Sequence, residues 1–594
     1  MSKKLICLFL SLIMLLGVCL TACGEKDDQE AMDDIADEAS QAAVTLAMYL
    51  MSEKPVDGDT VAMIEDAVNK ITETKFKTRL KLYYYTEEEY YAKLDAAFAE
   101  RAERKANGTL ISSKQEAESG EDETLVNEYG IVEIKYPTLT GYQVDIFYMG
   151  GKENFDKYKS GEMLTRLDDE INSSSKELTK YIPAQYLSGI KTLSKGTYAV
   201  PTSKPIGEYT YLLLNKVALE EAYRRSETGS TEYHEYTSFT CEDVKDFVDF
   251  VANSEDLAPN YYPIYTPYTS AQLLANLSNL QYWGVDANGA LANDFSVLGG
   301  YFNNGDDYLD ANKYAKLENL FENEQFLNDL RTIKSYEQYT HTEPVEGKKF
   351  AVGYVTGGKE LVETYGEEYE LIPVGCPRLT EDQLYSDMFA VCSYTSNVGR
   401  SMKILTLLNT DVNFRNLILY GIEGEHYQLV DTGIDDENGE DIMAVERFEI
   451  GEKNYMMDVN KTGNTFIAYP TVTESATLKA HGIVQNQEAR ISLSLGFALN
   501  SNGFETDVES LKAVRALSDQ ILSSYETCAP DGVEAFITAS KTLIDASADV
   551  KAHLGCQLGE TAHEKNGTVS GKEDRCHSLY CCYTAWLKEN KIIK

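Results

Sequence analysis

The chain has 594 residues, with 96 acidic against 54 basic side chains and a formal net charge of −42. A surface of that sign repels phosphate backbones and anionic headgroups, which excludes nucleic acid as a partner and leaves an anionic ligand in need of a special local pocket. The length exceeds what one hydrophobic core serves, so at least two domains are expected.

Lys3 and Lys4 precede an apolar run from Leu5 to Leu20, followed by Thr21, Ala22, Cys23 and a strongly acidic segment. A basic start, an apolar stretch and small residues at its end mark an export signal. The run is shorter than the ~20 apolar residues of a spanning helix. Leu20-Thr21-Ala22-Cys23 resembles the lipobox of bacterial lipoproteins. That resemblance implies a signal peptide over 1–22, lipidation at Cys23 and anchorage at the extracytoplasmic face of the cell membrane. Two acyl chains hold stably where one binds marginally, at ~0.8 kcal/mol per buried methylene. An ordinary secretory signal with an unmodified cysteine is the alternative.

Residues 23–41 are acidic and nearly free of large apolar side chains, which predicts a solvated tether. Ala42–Met51 has the pattern of a buried strand, and Asp57–Thr72 has helical spacing. A second strand over Phe76–Tyr85 leads to Thr86, which can cap a helix running to about Lys105. Strand, helix, strand, helix predicts a parallel α/β layer. Ala106–Thr140 is rich in Gly, Ser and Glu without a period and reads as a surface excursion. Tyr142–Tyr148 resumes the buried-strand pattern and ends at Met149-Gly150-Gly151. Because open parallel sheets bind ligands beyond the carboxyl ends of their strands, Tyr49, Tyr85, Tyr148 and Gly150 are candidates there.

From this point the order of motifs resembles the extracellular solute-binding proteins, family 1, that serve carbohydrate ABC importers. GEMLTRL (161–167), Tyr181–Gly189, GTYAVP (196–201) and YLLLNK (211–216) resemble that family's first crossing between lobes. KKFAVGYVTGG (348–358) resembles its strand and cleft loop, and LIPVGCP (371–377) the strand that follows. Ala390–Tyr427, with SYTSNVGRSMKILTLLNTD and LILYGIEGEHY, is the most specific piece. The resemblance spans about Ala42 to Val550. It implies an α/β, two-lobed periplasmic-binding-protein-like fold of type II, with discontinuous lobes joined by a hinge. The expected division is 42–206 and 389–430 for lobe 1, and 207–388 and 431–594 for lobe 2. Independently of the resemblance, Ser396 or Asn397 can cap a helix whose Met402, Leu405, Leu407 and Leu408 face inward.

Near the end, YTAWLKEN (583–590) resembles the family's final helix, whereas Lys551–Cys582 is polar and cysteine-rich. The expectation for that segment is poor packing. His553, Cys556, His563, Cys576, His577, Cys581 and Cys582 have the donor types of a zinc site but no paired ligand spacing, so no metal and no cofactor is expected. Eleven cysteines in an exported chain permit disulfides whose pairing the sequence does not assign. No H-E-x-x-H, G-x-S-x-G or phosphate-cradling loop is present. The expectation is therefore a binding protein and not an enzyme.

Tyrosine is abundant at 41 residues against two tryptophans. Sugars present apolar C–H faces and dense hydroxyls, which pair with aromatic rings and planar polar side chains. The expected site is an interlobe cleft. On the first lobe Tyr49 and Tyr148 are candidate platforms beside Gly150, and Glu208 matches an acidic hinge position implied by the resemblance. On the second, Tyr265, Tyr268 and Trp283 are candidate platforms, with Tyr354 and Thr356 in the cleft loop. Packing is the competing role for each, above all for Trp283 and His426. The expected function is a monomeric, lipid-anchored receptor that delivers a sugar or oligosaccharide to an ABC transporter permease. A secreted glycan hydrolase or a surface glycan adhesin is the alternative. The sugar and the permease are not named by the sequence.

Overall fold

The computed structural model describes residues 42–590 apart from 111–124, 127–131, 134–135, 227–240, 278–279, 293, 302–315, 359, 436–438, 440, 449–454, 476–477, 502–503 and 559–576. In chain order, strand β1 (Val44–Ser52) is followed by helix α1 (Gly58–Phe76), β2 (Thr78–Thr86), α2 (Glu87–Ala106), β3 (Ile146–Met149) and β4 (Val200–Pro201). Then come β5 (Glu208–Asn215), β6 (Tyr261–Tyr265), β7 (Thr340–His341), β8 (Lys349–Gly357) and β9 (Tyr369–Leu379). After them lie β10 (Met388–Val391), α3 (Val398–Thr410), α4 (Val412–Tyr420) and the hairpin β11 (Tyr427–Asp435) with β12 (Asp441–Arg447). The remaining principal elements are α5 (Leu478–Glu488), β13 (Arg490–Ile491), α6 (Val508–Thr527), α7 (Val533–Ala546), α8 (Ala548–Leu558) and α9 (Leu579–Glu589).

These elements form two compact units, each assembled from separated stretches of chain. The first holds the described residues of Met1–Ile182, Thr197–Ser203 and Tyr385–Thr473, and the second those of Pro183–Gly196, Lys204–Leu384 and Glu474–Lys594. The discontinuous two-unit α/β architecture is thus present, but its boundaries differ from those expected. The described residues of 431–473 belong to the first unit, not the second. Val445 N–H donates to Pro470 O at 2.7 Å, and the Tyr455 hydroxyl donates to Ile418 O at 2.6 Å. The fully buried Arg415 guanidinium on α4 grips the same stretch, donating to Val459 O at 2.7 Å and Asn464 O at 3.0 Å. Residues 183–196 belong to the second unit, where the Tyr186 hydroxyl donates to Gln383 O at 2.5 Å.

The first unit's sheet has the order β2-β1-β3-β10-β4, parallel except for β10, which runs antiparallel to β3 and β4. β1 is apolar along most of its length because it is an interior strand of that sheet and is buried over Thr45–Ser52. α1 begins where Asp57 accepts from Asp59 and Thr60 N–H, and ends at Lys77, whose φ of 46° is left-handed. Its side chains close the free edge of β2. Asn69 accepts from Leu80 N–H at 2.6 Å and donates to Leu80 O at 3.0 Å, and Glu65 accepts from Leu82 N–H at 2.8 Å. An edge strand closed in this way offers no ladder to a further strand.

The second unit repeats the pattern. Its sheet has the order β7-β6-β8-β5-β9-β13, with β5 antiparallel to β8 and β9. In each unit the antiparallel strand follows a crossing from the other unit, β5 after Ser203 and β10 after Leu384. Leu212, Leu214, Val352 and Tyr354 face the larger core, while Tyr209, Tyr211, Leu213 and Val355 face a smaller one on the opposite side. The expected poor packing of 551–582 is corrected at both ends. α8 and α9 are helices, and Tyr583 and Trp586 on α9 pack against Trp283 (4.5 Å from Tyr583) and Phe497 (5.7 Å from Trp586). Residues 559–576 lie outside the described residues. Among the described residues no helix is long and apolar enough to cross a membrane.

Candidate functional site

In the second unit the carboxyl ends of β6, β7, β8 and β9 and the amino end of β5 share one end of the sheet. Thr356 of β8 and Thr210 of β5 are register partners there, with their hydroxyl oxygens 3.5 Å apart. Tyr268 lies three residues beyond β6, and its phenol is hydrogen-bonded to Thr356. Burial raises the Tyr268 pKa, the Thr356 bonds oppose the rise, and the nearby Glu208 carboxylate adds to it. Glu208 opens β5 with its side chain exposed. Its register partner Arg378 is half-buried and donates to Leu280 O and Ala275 O, both at 3.2 Å, and the partial loss of solvent pulls its pKa down to about 10. Beside it the Gln281 amide donates to Ser494 at 2.5 Å and accepts from Ser492.

This strand end therefore collects the Glu208 carboxylate, the hydroxyls of Thr210, Thr356, Ser492 and Ser494, the Gln281 amide and the Tyr268 phenol. Tyr265, at the end of β6, lies half-buried on the other face of the sheet, stacked on Phe350 with ring centres 5.4 Å apart.

In the first unit the carboxyl ends of β1, β2, β3 and β4 meet the amino end of β10. Tyr148 is buried there and its hydroxyl donates to Asp387 at 2.6 Å. Burial and the adjacent carboxylate drive the Tyr148 pKa far upward, so the phenol stays neutral. Gly150 follows β3. Its N–H donates to the Tyr91 hydroxyl at 3.1 Å and its carbonyl accepts from Asn154 at 2.7 Å. A Cβ at Gly150 would stand 2.6 Å from the Tyr148 hydroxyl and 2.7 Å from Ser386 O, so only glycine fits. The hydroxyls of Ser52, the last residue of β1, and Thr202, just after β4, are buried without a hydrogen-bond partner. Buried hydroxyls of that kind are uncommon and call for an explanation.

The structure brings together Glu208, Tyr268 and Thr356, and gives packing roles to three expected platforms and to Tyr354 of the expected cleft loop. Trp283 is 4 % exposed, enclosed by Phe497 and Tyr583. Tyr354 is 3 % exposed in the same core because its side chain points to the face opposite Val355. Tyr49 is buried, stacked at 4.8 Å on Tyr83. Tyr148 is held by Asp387. None of the four presents a free ring face.

His426 has a local role. Its Nδ1 accepts from Ile422 N–H at 3.0 Å and closes the turn that starts at Gly421, and burial lowers its pKa. Cys23 lies outside the described residues. Thr210, Arg378, Gln281, Asp387 and Tyr91 were not singled out in the sequence. The register of β5 on β8 and β9 is what reveals the first two. Among the described residues no group of three or more His, Cys, Asp or Glu side chains is arranged to hold a metal ion.

No protein-family model matches the chain, and no curated protein matches it. Solved structures do. The N-glycan transport solute binding protein NgtS from Streptococcus pneumoniae is 18% identical, covering 92% of this chain and 99% of its own, with a TM-score of 0.49. An extracellular solute-binding protein family 1 member from Alicyclobacillus acidocaldarius is 12% identical over 85% of this chain and 99% of its own, with a TM-score of 0.40. The sugar-binding protein MalE from Xanthomonas citri is 10% identical over 84% of this chain and 97% of its own, with a TM-score of 0.35. All three TM-scores lie under one half.

Proposed function

We propose that this chain is an extracytoplasmic receptor, anchored through a lipidated Cys23, that binds a neutral sugar or oligosaccharide and hands it to an ABC importer. The observation that carries the reading is the convergence of Glu208, Thr210, Tyr268 and Thr356 at one end of the second unit's sheet. A carboxylate accepts two hydroxyl hydrogen bonds, the threonines donate and accept, and a tyrosine ring covers a C–H face. The unpartnered hydroxyls of Ser52 and Thr202 at the first unit's strand ends support a polar solute there as well. No catalytic step is part of this reading.

Closure of the two units on the solute belongs to the proposal. A micromolar dissociation constant corresponds to ~8 kcal/mol, within reach of one ring contact and several hydrogen bonds to a carboxylate and hydroxyls. The deciding experiment is a thermal-shift and calorimetric screen of the soluble form beginning at Gly24 against mono- and oligosaccharides. Binding by at least one neutral saccharide, lost in Tyr268→Ala, is expected, with ligand-dependent compaction in small-angle scattering. Binding that survives Tyr268→Ala unchanged, or release of new reducing ends from a bound glycan, would overturn the reading.

A further inference from the structure

A groove of about 540 Å³ lies along the outer edge of the first unit's sheet, between α1 and residues 136–139. Its size is in the roughly 300–1,000 Å³ range of small-molecule sites. The wall formed by 136–139 is tied to β1 by the Thr45 hydroxyl, which donates to Pro137 O at 2.6 Å. Two tyrosines line the groove, Tyr83 and Tyr136, and the Arg79 guanidinium lies 4.6 Å from the centre of the Tyr136 ring.

The charges around the groove cancel in pairs. Lys70 meets Asp66 at 2.7 Å, Arg79 meets Glu73 at 2.7 Å and Lys81 meets Glu65 at 2.9 Å. An anion or a cation placed there would face a like charge beside every opposite one. A neutral polyol meets no such penalty, because each hydroxyl can donate to a carboxylate and accept from an ammonium or guanidinium. An extended peptide is disfavoured for a different reason: Asn69 and Glu65 already occupy the main-chain groups of Leu80 and Leu82 along this edge. Recognition must therefore come from side chains, and those present are rings and planar polar groups.

We infer that this groove is a further saccharide site, taking one neutral pyranose ring, free or at the end of a longer glycan. It stands on the first unit alone and is independent of the strand-end cluster around Tyr268.

The test is hydrogen–deuterium exchange by mass spectrometry on the soluble chain from Gly24, with and without glucose, galactose, mannose or N-acetylglucosamine. Slower exchange is expected with at least one sugar in peptides covering 62–73 and 79–83. Ala62 lies exposed on α1 and lines the groove, so Ala62→Trp fills the space without touching the core. That protection should disappear in Ala62→Trp and in Tyr136→Ala, each verified as folded by circular dichroism, and persist in Tyr268→Ala. No protection with any of the four sugars, protection that survives both groove variants, or its loss in Tyr268→Ala would overturn the assignment.

Discussion

Asn69 on α1 does for β2 what a neighbouring strand would do, and replacing it tests that reading. Its amide makes two hydrogen bonds to Leu80, a residue 1 % exposed, one to the N–H and one to the carbonyl. Asn69→Ala removes both partners and leaves two buried main-chain groups that water reaches poorly. Each lost bond is worth ~1 kcal/mol net, and a stranded buried group costs up to ~3 kcal/mol, so the variant should lose roughly 2–4 kcal/mol. With a urea dependence of about 2 kcal/mol per molar, the midpoint should fall by ~1–2 M. The assay is urea unfolding followed by far-ultraviolet circular dichroism, with tryptophan emission recorded alongside. Trp283 and Trp586 both lie in the second unit's core, so their emission reports that unit. The dichroism transition should move and the emission transition should stay. A midpoint shift worth less than ~0.5 kcal/mol, the range of an ordinary surface substitution, would refute the view that α1 closes this edge.

Three further outcomes are expected. Tyr268→Phe keeps the ring and removes a phenol oxygen that, while bonded to Thr356, can still accept from a sugar hydroxyl, so calorimetry should show saccharide affinity weakened by about 5–10-fold, the worth of one hydrogen bond. Gly150→Ala drives a methyl against the rigid Ser386 carbonyl at 2.7 Å, which should cost roughly 1–3 kcal/mol in thermal unfolding. Asp145 is buried, and burial raises its pKa even though Ala47 N–H, Thr395 and Gln143 all donate to it. A carboxyl whose folded pKa lies above its unfolded one favours folding when protonated. That contribution is complete below the unfolded value near 3.8 and is lost as pH rises through the folded value. The stability difference between wild type and Asp145→Asn, measured by urea titration at several pH values, should therefore shift toward wild type on acidification across that window.

Local patterns made the strands and helices legible. The apolar run of β1, the helical spacing of α1, the strand at β8 and the inward residues of α3 can all be read from neighbours in sequence. What escaped was set by contacts between distant residues. Trp283 read as a platform because nothing near it in sequence covers it, yet its covers, Phe497 and Tyr583, come more than two hundred residues later. The sequence puts the first unit's end at 430 because β11 and β12 carry no local sign of which core they serve. Tyr455, whose hydroxyl reaches Tyr84 at 3.1 Å, and Glu53, whose N–H donates to Met456 O at 3.2 Å, decide it. Thr210 and Thr356 became a pair only through strand register.

The two antiparallel strands also constrain how the protein can fold. β10 lies between β3 and β4, pairing Phe389 with Tyr148 and with Val200, so the first sheet cannot close until chain synthesised long after β3 has returned. Among the described residues β4 has no other strand partner. A fragment covering 24–203 therefore lacks an interior strand, leaving β3 with an open edge and β4 unpaired. Closing a loop of this span costs entropy before its contacts form. The fragment alone should show no cooperative thermal transition by circular dichroism, whereas the full chain should refold slowly, with the first unit's signal lagging the tryptophan emission of the second. A cooperative transition in the isolated fragment would mean that β10 is dispensable, and the reciprocal strand arrangement would then not govern assembly.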